Sequence, residues 1–182
     1  AYMQAVLNDN DYDLISPHSG KVIRRLKARD VFNLIVEMAH RNGEPGIIFL
    51  DKINAANPTP KLGRIESTNP CGEQPLLPYE ACNLGSINLA KFAKDGSIDW
   101  DKLQSVIRLS VDFLDDVIDC SRFPLPQIDA LVKANRKIGL GVMGWADLLF
   151  QLEIPYTSEE AISLAKELME FIDFEAKQRS ME

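Results

Sequence analysis

Thiols and imidazoles are scarce in this chain: three cysteines and two histidines among 182 residues. No two cysteines form a C-x-x-C pair, and His18 and His40 lie far from them without ligand spacing, so no metal centre is expected. Three cysteines are too few for a secreted disulfide scaffold and fit a reducing cytoplasm, where each thiol is a candidate reagent. No apolar run approaches the roughly 20 residues that span a bilayer. A basic stretch followed by an apolar one is missing at the N-terminus, so no secretory signal is visible. Positive charge is in deficit as well. A net charge of -7 leaves no electrostatic footprint for a nucleic-acid backbone.

What is present is ordinary in amount: 46% hydrophobic and 26% charged residues, enough for one domain with a sizeable core. The chain starts at Ala1 rather than Met and stops at Glu182 inside a helical pattern. It shows no internal repeat or linker, so residues 1–182 are read as one domain fragment of a longer protein.

Turn residues Pro17-His18-Ser19-Gly20 between two apolar stretches predict a hairpin. A helix is expected from a cap at Asp30 to Asn42, with Val31, Leu34, Ile35 and Met38 on one face, closed by Gly43. Ile47-Ile48-Phe49-Leu50 reads as a short buried strand, giving the helix–strand rhythm of an α/β fold. Five prolines between Asn54 and Pro78 argue against regular structure there, and a long ordered loop is usually functional. A strand is expected over Cys82–Leu89. Asp99 should cap a long helix with Leu103, Val106, Ile107, Phe113, Leu114 and Val117 at helical spacing. A shorter helix over Gln127–Asn135, a strand over Ile138–Val142 and a helical piece over Trp145–Leu152 follow. Thr157 with Glu160 makes a capping-box pattern for the last helix.

Gly139-Leu140-Gly141-Val142-Met143-Gly144 matches G-x-G-x-x-G. A dinucleotide site needs a full strand before the first glycine, and only Ile138 is apolar there. Small residues that let a strand approach its neighbours are the preferred reading. Cys120, following the apolar face of the long helix, reads as a small buried hydrophobe. His40 near a helix C-terminus reads as a favourable cation.

Cys71 and Cys82 bear on function. They could be half-buried core residues beside a loop, or a redox pair. Yet Pro70 and Gly72 pin Cys71 on one side and open it on the other. Asn69 and Glu73 stand two residues away on either side. In an extended loop they would point with the thiol, bringing a sulfur, a carboxylate and an amide to one small substrate.

Asn69-Pro70-Cys71-Gly72-Glu73-Gln74-Pro75-Leu76 followed by Cys82-Asn83-Leu84-Gly85-Ser86-Ile87-Asn88-Leu89 closely resembles the catalytic subunit of ribonucleotide reductases. The class II enzymes, which depend on adenosylcobalamin, are the most similar. The resemblance continues through Gly46–Asp51, Phe123–Gln127 and Ile138–Gly144, and so covers nearly the whole chain. It implies part of a ten-stranded α/β barrel with the essential cysteine on a central finger loop. By resemblance, Cys71 would carry a thiyl radical that abstracts the 3′-hydrogen of a ribonucleotide. Glu73 would be the base on the 3′-hydroxyl, and Asn69 would bind the ribose hydroxyls. Cys82 would be half of the reducing dithiol, its partner lying before Ala1. The resemblance also implies ribonucleoside di- or triphosphate substrates, dNTP or ATP effectors, a thioredoxin-type reductant and a homodimer at full length. The negative charge and the short apolar runs predict no nucleic-acid or membrane partner. The piece alone is expected to be inactive. The alternatives are a class I large subunit fed by a separate radical-generating subunit, a binding module with structural cysteines, and a redox switch pairing Cys71 with Cys82.

Overall fold

The computed structural model describes residues 1–182 throughout. The chain divides into two units, Ala1–Pro58 with Pro70–Glu73, and Thr59–Asn69 with Gln74–Glu182.

In the first unit a short helix α1 (Tyr2–Leu7) leads into the expected hairpin of β1 (Asp11–Ile15) and β2 (Val22–Lys27). The strands pair antiparallel, and the register slips between Leu14 and Ile15. Arg25 Nε donates to Asp13 Oδ1 across the pair at 2.7 Å. The Tyr2 ring meets Tyr12 edge-on at 5.0 Å and its hydroxyl donates to the Ala28 carbonyl, which ties α1 to the next helix. That helix, α2 (Ala28–Asn42), begins three residues earlier than expected. Lys27 is its cap, and Asp30 sits in the first turn, where a carboxylate still favours the dipole. Gly43 closes it in the left-handed region at φ 82°, with His40 in the last turn. Val31, Ile35 and Met38 are half-buried, but Leu34 is exposed.

Ile47–Leu50 does not form the expected strand: residues 44–49 are irregular, and Leu50 opens α3 (Leu50–Ala55). A strand persists only with a ladder partner, and no strand of the chain pairs with this segment. All four apolar side chains are exposed.

The second unit holds the main core. Two-residue strands β3 (Ser67–Thr68) and β4 (Pro75–Leu76) pair antiparallel within the proline-rich stretch. Strand β5 (Asn83–Asn88) is followed by a 3-10 turn over Leu89–Lys91 and by the small hairpin of β6 (Ala93–Lys94) and β7 (Ser97–Ile98). Helix α4 (Trp100–Cys120) is capped as expected by Asp99, whose Oδ1 accepts from Lys102 N. Its buried stripe is Leu103, Ile107, Val111, Leu114 and Ile118, at spacings of three and four. Phe113 falls off that stripe and is exposed. Cys120 does too: two positions beyond Ile118 is more than half a turn round the helix, so the thiol is exposed rather than buried.

Helix α5 (Pro126–Asn135) starts with Pro126 in its first turn and ends on Arg136 in the left-handed region. The Arg136 guanidinium bonds Asp115 and Asp119 of α4 at 2.8 and 2.9 Å. Strand β8 (Ile138–Met143) then runs parallel to β5, with Asn83 opposite Ile138 and Asn88 opposite Met143. This strand–helix–helix–strand crossover is the α/β unit of the fold. Helices α6 (Trp145–Gln151) and α7 (Glu159–Met181) complete the unit. Ser158, not Thr157, caps α7 by accepting from Ala161 N, so the capping frame lies one residue later than expected. Ile87, Leu89, Leu103, Ile107, Leu148, Leu168 and Ile172 form the centre of the core, and Trp100 stacks edge-on with Phe171 at 4.9 Å. The strands make four separate two-stranded sheets and no closed barrel. No helix is long and apolar enough to cross a membrane.

The glycines of the G-x-G-x-x-G stretch have packing reasons. Gly139 and Gly141 lie inside β8 rather than in a turn after it, and a Cβ on Gly139 would overlap the Leu84 side chain. Gly144 caps α6 at φ 71°, and a Cβ there would overlap Asn88 Oδ1. That oxygen is already engaged, accepting from Ala90 N at 3.2 Å to start the 3-10 turn. Gly144→Ala is therefore expected to destabilise the full-length protein by about 1–3 kcal/mol, read by denaturant unfolding. An unchanged midpoint would show that Asn88 and the backbone yield freely.

Candidate functional site

Asn69 and Gln74 are tied twice: Asn69 N donates to the Gln74 carbonyl at 3.2 Å, and Gln74 N donates to Asn69 Oδ1 at 2.9 Å. This extends the β3–β4 pair and fixes both ends of the short segment that joins them, residues 70–73. The Asn69 side chain thus shapes the loop through its oxygen. Thr68 Oγ1 donates to the Asn69 carbonyl and secures it further.

Within 70–73 the backbone turns rather than extends, with Gly72 at φ 88°. Glu73 would point with Cys71 only from an extended backbone, and this turn does not supply that alternation. Gly72 is the reason, since only glycine takes that φ without strain. Cys71 and Glu73 are both exposed on this turn. The three cysteines are free thiols.

Cys82 stands just before β5 and is half-buried; its thiol donates to the Asn83 carbonyl at 3.3 Å. It lines a cavity of about 180 Å³ together with Asn83, Ile118, Phe123 and Lys137. Asn83 is itself anchored, its Nδ2 donating to the Leu114 carbonyl of α4 at 2.8 Å, while its Oδ1 is buried without a partner. Burial pushes the Cys82 thiol up; the Glu80 carboxylate adds to this and the Lys137 ammonium opposes it.

Glu80 was not singled out from sequence, yet it is the most connected group here. Its side chain has 0% exposure. Its Oε2 accepts from Lys137 Nζ at 2.7 Å and from Leu77 N at 2.9 Å, and its Oε1 accepts from Asn135 Nδ2 at 2.8 Å. Burial alone would raise its pKa, but the bonds from Lys137, Leu77 and Asn135 outweigh it and hold the carboxyl below its usual range. The signal for it was a charged residue two places before a strand thiol, with a lysine immediately before the paired strand.

Of the four residues expected at the site, Asn69 and Cys82 belong to the second unit, and Cys71 and Glu73 to the first. Cys71, exposed on the turn, and Cys82, half-buried before β5, are the two thiols singled out from the sequence.

Comparison with known proteins gives the chain a family. The ribonucleotide reductase barrel domain matches residues 1–182. A vitamin B12-dependent ribonucleoside-diphosphate reductase of Mycobacterium tuberculosis (strain CDC 1551 / Oshkosh) is 56% identical over 169 residues, 93% of this chain and 24% of that protein. A protein of the same name from Thermoplasma acidophilum is 52% identical over 174 residues, 95% of this chain and 23% of its own. Among solved structures, the Actinobacillus ureae class Id ribonucleotide reductase alpha subunit superposes with a TM-score of 0.68 at 23% identity. It covers 84% of this chain and 31% of its own, a likeness of fold. The chain spans about a quarter of the length of the curated relatives it matches.

Proposed function

The chain belongs to the ribonucleotide reductase barrel-domain family, and from that premise we infer that residues 1–182 are one piece of the catalytic barrel of a vitamin B12-dependent ribonucleoside-diphosphate reductase. The observation that carries this is the identity of 56% and 52% to two relatives of that name, spanning both Cys71 and Cys82. The same names favour the diphosphate over the triphosphate, and the cobalamin-dependent class over one fed by a separate subunit.

The overall reduction exchanges a 2′-hydroxyl for hydrogen. Two thiols close to one disulfide, giving up two electrons and two hydrogens; the C2′–O bond breaks, a C2′–H bond forms and water leaves. No side-chain acid or base activates an unactivated C–H bond, so a radical has to start the process. Adenosylcobalamin supplies that one-electron chemistry when bound, and the exposed Cys71 thiol suits a residue that such a group must reach. Cys71, its hydrogen atom passed to the initiating radical, would take the 3′-hydrogen of the ribose and return it to C3′ after the C2′–H bond has formed, so that this hydrogen cancels from the overall reduction. Glu73 takes the 3′-hydroxyl proton, for which a carboxylate must come within hydrogen-bond reach. Asn69 bonds the ribose hydroxyls, and its Oδ1, accepting from Gln74 N, fixes the side chain beside the turn. Cys82 is one of the two reducing thiols, and its partner is a second thiol of the full-length protein.

At full length the reading includes dNTP or ATP effectors, a thioredoxin-type dithiol that reopens the disulfide, a homodimer and a cytoplasmic location. The test is reduction of ribonucleoside diphosphates by the full-length protein with adenosylcobalamin and a dithiol. Product formation with no second subunit is expected. Strict dependence on a second, metal-containing subunit would replace this reading with the class I alternative.

A further inference from the structure

We propose that Glu80 and Lys137 are positioning residues for the Cys82 thiol: the buried Glu80 carboxylate holds the part-buried Lys137 ammonium, so the sulfur keeps its proton and enters the reduction as S–H. The proposal rests on Cys82 being a reducing thiol, and it adds what governs that thiol's protonation.

The register puts the three groups together. The parallel ladder opens with Asn83 opposite Ile138, and Cys82 and Lys137 are the residues just before those two. Both side chains line the same cavity of about 180 Å³. Glu80 lies two residues before Cys82, and the Lys137 ammonium sits 2.7 Å from its Oε2. The other cavity walls, Ala81, Asn83, Ile118, Ser121, Phe123 and Val132, carry no ionisable group. Protonation of the sulfur is therefore governed by burial, one carboxylate and one ammonium.

An ammonium beside a half-buried thiol normally draws it toward thiolate. Here the ammonium is committed to a carboxylate that has two further donors, Leu77 N and Asn135 Nδ2. The sulfur instead donates to the Asn83 carbonyl, a bond that only the protonated thiol makes. A reducing thiol has to deliver hydrogen as well as electrons, and a thiolate brings only the electrons. The direction of the Cys82 shift agrees with this account.

The test is the pH dependence of Cys82 alkylation by iodoacetamide in the reduced full-length protein, followed on the Cys82 peptide by mass spectrometry. In the wild type the midpoint is expected above the ordinary thiol value of about 8.5. A midpoint at or below that value overturns the proposal without any variant. In Glu80→Gln the released ammonium turns to sulfur, and the midpoint should fall by at least about one pH unit. In the double variant Glu80→Gln with Lys137→Met only burial remains, and the midpoint should rise again. A purely structural Glu80 would give both variants the same midpoint, and that result also overturns the proposal. The alkylation profile needs no turnover. Cys82→Ser, assayed separately for deoxynucleotide formation, tests whether Cys82 is a reducing thiol at all, so the two failures stay distinguishable.

Discussion

Cys71→Ser in the full-length enzyme should abolish deoxynucleotide formation, with the rate falling by on the order of 10⁴-fold or more, as when a covalent participant is lost. Serine matches cysteine closely in size and places a hydroxyl where the thiol was. The O–H bond is much stronger than S–H, so the hydroxyl does not give up its hydrogen atom as a thiol does. The side chain is exposed on a turn, so little packing is at stake. Folding, followed by circular dichroism, and substrate binding, followed by equilibrium dialysis, should both be retained. That combination separates loss of the reacting atom from loss of structure. Retained deoxynucleotide synthesis would remove Cys71 from the radical role and favour a module whose cysteines are structural.

Lys137→Met is expected to destabilise the full-length protein by about 2–4 kcal/mol, somewhat less than stripping one partner from a fully buried pair, because the carboxylate is covered and the ammonium only partly so. Glu80 is fully covered, and in the variant its charge would be left to two neutral donors, Leu77 N and Asn135 Nδ2. Denaturant unfolding at neutral pH checks the size of the loss. The dependence on pH supplies a sign. Glu80 has its folded pKa lowered, so its contribution is fully present above the unfolded carboxylate value of about 4.3. It is lost as pH falls through the folded value. The gap between wild type and variant should therefore close on acidification, because protonated Glu80 no longer needs the cation. A gap that stays constant into the acid range would mean that the aliphatic stem of Lys137, not its charge, supplies the stability.

Local chemistry was legible where it is self-sufficient. Asp99 and its helix, Gly43 in the left-handed region, and the Pro17–Gly20 turn are decided by residues within a few positions of each other. The expectation for Ile47–Leu50 failed because a strand is decided by its neighbour, and β-branched residues do not reveal whether one is present. Phe113 and Cys120 were misplaced for a related reason: apolar character near a helical stripe does not fix the angle round the helix. For the candidate site, Asn69, Cys71, Glu73 and Cys82 are proposed from residue types at close spacing in the sequence. Glu80 was hidden because its importance comes from Lys137 and Asn135, which lie 57 and 55 positions away. Only the pairing of β5 with β8 brings them to it.

The β5–β8 sheet has two strands and hence no interior strand. Every backbone amide and carbonyl that points away from the pair is a template for another chain. Leu84 and Met143 add exposed apolar side chains on those strands. Handled by itself, the polypeptide is expected to self-associate along this edge as its concentration rises, which light scattering over a dilution series would show and a constant particle mass would refute.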